Sequence, residues 1–140
     1  MKHLRAQDFQ GQWRLTRRIE DRRLRIEGEL EGEAILVPVQ DGTLTYRETG
    51  ELRFGDSAPL EASRAYQWAF DEAVVKVAFT DGRPFHDFVP EGLHQGSDHQ
   101  CGSDRYRVEY DFTNWPQWRA IWTVKGPRKD YTSISEYAPA

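Results

Sequence analysis

Apolar and polar residues alternate with a period of two along almost the whole chain, the pattern of strands with one buried face. Phe9, Gly11, Trp13, Leu15 and Ile19 share one face of a first strand, with Gln10, Gln12, Arg14 and Arg18 opposite. After the charged turn Asp21-Arg22-Arg23, the inner face of a second strand holds Gly28, Leu30, Gly32, Ala34 and Leu36. Pro38 and the Asp41-Gly42 turn end it. Leu44, Tyr46, Glu48, Gly50 and Leu52 carry the pattern to a loop at 55–59, and Ala62, Arg64, Tyr66, Trp68 and Phe70 resume it. Val75, Val77 and Phe79 come next, and Asp81-Gly82 turns the chain into a strand over 83–89. The stretch 90–102, rich in Gly, His and Ser, reads as a long loop or broken strand. Asp104, Tyr106, Val108, Tyr110 and Phe112 then alternate against Arg105, Arg107, Glu109 and Asp111. Trp118, Ala120, Trp122 and Val124 follow, then a last strand over 131–137.

This spacing predicts about eight to nine strands joined as consecutive antiparallel hairpins, with a short helix near residues 3–8 and no long one. A flat sheet of that width leaves two unpaired edges and one uncovered apolar face. Closure into an up-and-down antiparallel β-barrel removes both edges. A two-sheet sandwich is the alternative, and the succession of tight hairpins favours the barrel. The 140 residues suit one such domain spanning 1–140.

Composition sharpens the picture at three points. Aromatic residues make up 13% of the chain, enough to fill a barrel or to line a cavity within it. Residues 1–25 carry eight basic against three acidic side chains, while the whole chain has net charge −4. No helix-turn-helix, zinc-finger or RNP-type motif accompanies the arginines. A solvated, ion-paired strand face is therefore the reading, with no nucleic acid as partner. No apolar run approaches the roughly 18 residues of a membrane span, and no secretory apolar segment opens the chain. The single cysteine, Cys101, excludes an internal disulfide. The expectation is a cytoplasmic protein, monomer or homodimer.

Phe9-x-Gly11-x-Trp13 on the first strand is similar to the Gly-x-Trp signature of lipocalins and the wider calycin group. That resemblance implies a barrel whose tryptophan closes one end, under a basic residue from the last strands such as Arg128 or Lys129. The chain also resembles, over nearly its full length, an uncharacterised family of short bacterial proteins. The resemblance rests on Asp81-Gly82-Arg83-Pro84-Phe85-His86, His99-x-Cys101-x-x-Asp104-x-Tyr106 and Trp122-x-Val124-x-Gly126-Pro127-x-Lys129.

The face that carries Tyr46, Tyr66, Trp68, Tyr110 and Trp122 also carries Glu48, Arg64 and Asp104. Charges taken from water cost several kcal/mol unless paired or left wet. These three therefore form a buried Glu48–Arg64 pair, or sit at a solvated rim, or mark a water-filled ligand pocket. In the pocket reading Arg64 grips a carboxylate with its planar fork, Tyr46, Glu48, Tyr66, Trp68, Tyr110 and Trp122 complete the contacts, and inward Gly28, Gly32 and Ala34 leave space for the guest.

A second constellation comprises His86, His94, His99 and Cys101, followed by Asp104 and Tyr106. Zinc takes imidazole and thiolate ligands, and one axial histidine can hold haem. The spacing is irregular, without Cys-x-x-Cys or His-x-x-x-His, so no metal and no obligatory cofactor is expected. His86 and His99 then hydrogen-bond within the barrel, His94 is an exposed loop residue, and Cys101 fills space as a small buried group. A catalytic alternative has His86 or His99 move a proton, Asp104 orient the imidazole and Tyr106 donate to a developing oxyanion. Phosphate-cradling and dinucleotide motifs are missing. The favoured function is binding of a small aromatic or acyl anionic ligand inside the barrel. A small cofactor-independent isomerase, dehydratase or lyase is the alternative.

Overall fold

The computed structural model describes residues 3–140; Lys2, part of the basic stretch, lies outside the described residues. One helical turn, α1 (Ala6–Phe9), precedes eleven strands. They are β1 (Gly11–Asp21), β2 (Ile26–Gln40), β3 (Thr43–Phe54), β4 (Leu60–Asp71), β5 (Val74–Ala78), β6 (Pro84–Phe88), β7 (Leu93–Gln95), β8 (His99–Cys101), β9 (Asp104–Asp111), β10 (Trp118–Gly126) and β11 (Lys129–Pro139). The expected all-β, up-and-down antiparallel barrel is what forms, with more strands than the eight or nine read from the alternation. The excess is β7 and β8, three residues each, too short to show a period. They are the two halves of the broken strand at 90–102.

A single antiparallel sheet runs β6-β5-β4-β3-β2-β1-β11-β10-β9-β7, with β8 also paired to β9. The first and last long strands meet from Trp13 opposite Pro139 to Asp21 opposite Tyr131. The seam between β6 and the β7–β8 segment is stitched at two residues. The Ser97 N–H donates to the Asp87 carbonyl at 2.9 Å, and the Asp87 N–H donates to Ser97 Oγ at 2.8 Å. The barrel is thereby nearly closed.

One end is sealed by rings. The turn α1, in which the Arg5 N–H donates to Asp8 Oδ2 at 2.7 Å, drops Phe9 into the end of the barrel, where it is fully buried. Phe9 meets Trp115 at 5.1 Å, Trp68 at 5.5 Å and Trp118 at 5.6 Å, all edge-on, the favoured geometry for aromatic pairs. Trp13 Nε1 donates to the Phe9 carbonyl at 2.8 Å, so its one polar atom is satisfied inside this cluster. The resemblance placed Arg128 or Lys129 over that tryptophan. Both instead precede or begin β11, whose far end pairs with Trp13, so they lie at the opposite end of the barrel.

The inward glycines of β2 do not leave room for a guest. A Cβ on Gly28 would lie 2.6 Å from the ring of Phe54, which occupies that space. A Cβ on Gly32 would lie 2.0 Å from the Thr49 carbonyl, because β2 and β3 backbones approach closely at the Gly32–Gly50 pair. Gly32→Ala is expected to lower stability by more than about 2 kcal/mol, as strain at a close backbone contact does. Urea unfolding checks it, and an unchanged midpoint would show that β3 yields freely at this pair.

Candidate functional site

The end opposite the Phe9–Trp13 cluster opens into a lumen of about 980 Å³, at the large end of small-molecule sites. Strand parity explains its lining. Inward positions of β1, β3, β4 and β11 supply Arg17, Tyr46, Glu48, Arg64, Tyr66, Trp68, Ser135 and Tyr137. The opposite wall supplies Tyr110 from β9 and Trp122 from β10. All seven side chains proposed from the sequence to contact a ligand therefore share one cavity.

Within it, Glu48 is buried and paired, but not with Arg64, the partner that one of the three readings of the sequence gave it. Arg64 does face Glu48 across β3 and β4, but the partner is Arg17 of β1. Arg17 Nη1 and Nη2 donate to Glu48 at 2.6 and 2.9 Å, and Arg17 Nε donates to Ser135 Oγ at 2.7 Å. Tyr46 donates to Glu48 at 2.6 Å and shares a hydrogen bond with Tyr137 at 2.7 Å. Burial works against the Arg17 charge, and the Glu48 hydrogen bonds together with the charge interactions of Tyr137, Glu48 and Tyr46 more than offset it, so the guanidinium pKa rises. Burial likewise raises that of Glu48, and the Arg17 hydrogen bonds and charge overcome it, with Tyr46 and then Arg64 adding to a net lowering. Arg17 had counted among the solvated arginines of the basic stretch. It is buried because its odd position puts it on the Trp13–Leu15–Ile19 face.

Arg64 itself is exposed at the mouth, and no carboxylate among the described residues is within ion-pair distance of it. Its charge acts on the Tyr66 hydroxyl, whose pKa is raised by burial and partly restored by Arg64. The other mouth cations are engaged: Arg83 with Asp81 at 2.7 Å, Lys129 with Asp104 at 3.3 Å and with the Tyr106 hydroxyl at 2.9 Å.

His86 stands deeper, on the wall of β6. Its Nε2 is 2.8 Å from the Tyr110 hydroxyl, while Nδ1 is buried with no partner among the described residues. Burial, aided by nearby His99, holds its pKa down at about 3. His99 is half-buried among the rings of Phe85, Phe79 and Tyr106 at 5.1, 6.0 and 6.0 Å. The catalytic constellation is thus brought together only in part. His86, His99 and Tyr106 line the lumen, whereas Asp104 is turned to Lys129 and orients no imidazole. His94 lies half-buried in β7 rather than in an exposed loop, and Cys101 is an exposed thiol at the mouth rather than a buried filler. No three or more His, Cys, Asp or Glu side chains converge among the described residues.

Sequence reasoning missed Phe85. Val77 pairs with His86 but Ala78 pairs with Pro84, so Phe85 is an extra residue in a β-bulge. The bulge breaks the alternation and turns Phe85 inward beside His86, re-aiming a side chain as bulges near functional sites do. Its ring stacks on Trp122 across the lumen at 5.0 Å and 5°, and on Phe79 at 4.7 Å and 24°. Tyr66 covers it at 5.6 Å.

Residues 9–139 match DUF6314, a family of unknown function. The chain belongs to the DUF6314 family. A comparison with curated protein sequences finds none that matches. Among solved structures, the DUF6314 barrel is similar to an S-type phycobiliprotein lyase from Guillardia theta, with TM-score 0.67 and 10% identity over 96% of this chain and 90% of that one. It is also similar to a protein of unknown function, from the DUF3598 family, of Nostoc punctiforme, with TM-score 0.61 and 12% identity over 98% of this chain and 49% of that one. At such identities the likeness is one of fold. No helix among the described residues is long and apolar enough to cross a membrane.

Two outcomes test the site's electrostatics. An unfolded chain protonates His86 near 6.5, but the folded one stays neutral until about 3. Its contribution to stability is complete above 6.5 and is lost as pH falls through that window, by up to about 1.4 kcal/mol per pH unit. Urea midpoints of His86→Phe are expected to fall less steeply than wild type between pH 6.5 and 5; parallel curves would mean that the imidazole titrates freely in the fold. Arg17→Met alone is expected to cost about 3–5 kcal/mol by stranding Glu48, and Arg17→Met with Glu48→Leu to regain most of it. Equal losses in the single and double variants would locate the cost in packing rather than in the stranded charge.

Proposed function

We propose that the lumen binds a small, planar aromatic or acyl molecule bearing an anionic group, with the acid at Arg64 and the body against the rings. The observation that carries this reading is Arg64, a cation with no carboxylate within ion-pair distance among the described residues, at the mouth of an aromatic-rich cavity of about 980 Å³. Tyr66, Trp68, Tyr110 and Trp122 offer faces to the guest. Tyr46 and Glu48 belong to the buried network and set the cavity's shape and potential rather than seizing the acid. We read the tryptophan-capped barrel as calycin-like and its setting as cytoplasmic, which suits the exposed thiol of Cys101. A catalytic use of the same lumen would draw on His86 or His99, and of the two His86, held near 3, is a weak base at neutral pH.

The experiment is a fluorescence titration with two probes of similar shape, anionic 1-anilinonaphthalene-8-sulfonate and neutral N-phenyl-1-naphthylamine. Arg64→Ala is expected to weaken the anionic probe about tenfold, the scale of one charge-assisted contact, and to leave the neutral one unchanged. His99→Ala is expected to leave both within about twofold. Phe85→Ala, by removing the ring stacked over Trp122, is expected to speed association and dissociation of both probes in stopped flow. If neither probe binds the native barrel, or if Arg64→Ala weakens both alike, the reading fails.

A further inference from the structure

Polar groups inside the lumen divide into those that are matched and those that are not. Arg17, Glu48, Tyr46, Tyr137 and Ser135 satisfy one another. Two buried atoms have no partner among the described residues, His86 Nδ1 and Trp118 Nε1, and both side chains line the cavity. Native interiors rarely leave such groups open, and a partner from outside the chain is one reason for it.

We propose that His86 is the specificity-determining donor at the buried end of the ligand, and that the ligand is two-ended: an aromatic anion that also carries a neutral carbonyl-type acceptor away from its acid group. The inference rests on the lumen-binding reading and deepens it. A neutral imidazole has one donor and one acceptor nitrogen. The Tyr110 hydroxyl has His86 Nε2 as its hydrogen-bond partner at 2.8 Å. When Tyr110 donates to Nε2, the ring proton sits on Nδ1. The indole Nε1 of Trp118 is a donor by chemistry. In the proposed tautomer, with Tyr110 donating to Nε2, both open positions are donors, and what complements them is an acceptor.

The charge of that acceptor follows from its neighbours. The cation deep in the lumen, Arg17, is already neutralised by a bidentate carboxylate, and Glu48 repels a second one. His86 remains uncharged. A carboxylate placed there would lose its hydration without gaining a cation, whereas a carbonyl oxygen needs only the N–H. The acid group is left to Arg64, where solvent also reaches it.

The test uses anthracene-2-carboxylate and anthraquinone-2-carboxylate, two tricyclic anions that differ in their ring carbonyls, titrated by tryptophan quenching into the full chain. The preference for the quinone over the anthracene is expected to fall about tenfold in His86→Phe, a comparison in which the difference in probe hydrophobicity cancels. In the wild-type protein, nitrogen-15 NMR is expected to show the His86 Nδ1–H resonance shifting with the quinone and not with the anthracene. That measurement holds even where the variant folds poorly. Both probes binding with an unchanged preference and an unmoved Nδ1–H signal would overturn the role of His86, leaving water as its partner and the lumen reading intact. Failure of both probes to bind would overturn both.

Discussion

The buried pair of Arg17 and Glu48 is the constraint around which the rest of the barrel is arranged. A charge removed from water costs several kcal/mol unless its partners are nearly ideal, so the strands that carry these two groups have little freedom to shift. Arg17 lies on β1 opposite Leu30 of β2, and Glu48 lies on β3 opposite Ala34 of β2. The inner-face residue between Leu30 and Ala34 is Gly32, so the ion pair crosses β2 where β2 has no side chain. Gly50 faces Gly32, and the backbones close up beneath the pair. A slip of one residue in either strand would send Arg17 or Glu48 to the outside and an apolar residue with it. Register, close approach and charge burial are thus one requirement.

The same accounting separates structure from function. Buried polarity alone would have marked Glu48 and Tyr46 as ligand contacts. Their hydrogen bonds are instead spent on Arg17 and Tyr137, and Ser135 completes the set. Groups that are matched within the chain hold the fold. Among the described residues, Arg64, exposed with no carboxylate within ion-pair distance, and His86, buried with one nitrogen unpartnered, are where the chain leaves chemistry unfinished. The two lie at different depths of one lumen, and the proposed two-ended guest follows from that placement.

The strand pattern was legible because most strands are long and one face of each is buried, which is the condition for a clean period of two. Arg17 obeyed that period, at the same parity as Trp13 and Leu15, yet it stood in a run of arginines whose charge argued for the surface. Glu48 and Arg64 do face each other in the register, so the sequence located the neighbourhood of the pair. It missed a third strand, because β1 reaches the site past β2 rather than through pairing with β3. The glycines misled for a related reason: absence of a side chain signals equally an empty space, a ring that fills it, or a backbone that comes close. Gly28 and Gly32 are the second and third of these.

Phe85 was beyond reach of any periodic reading. Between Pro84 and His86, alternation puts it outside, and a single inserted residue reverses that. The insertion occurs where the sheet is weakest, in short β6 beside the seam that Asp87 and Ser97 close with a few hydrogen bonds. The long strand β2 takes its register shift only near its end, at Pro38–Gln40, where little ladder follows. At the seam the ladder is short, so the bulge costs little, and it sets an aromatic ring across the lumen next to His86. The closed end, with Phe9 and Trp13 packed among Trp68, Phe70, Phe112, Trp115 and Trp118, has its own register shift at Pro38–Gln40 in the last residues of β2. Both breaks in register fall near strand ends, and the one in β6 is the one that re-aims a ring into the lumen.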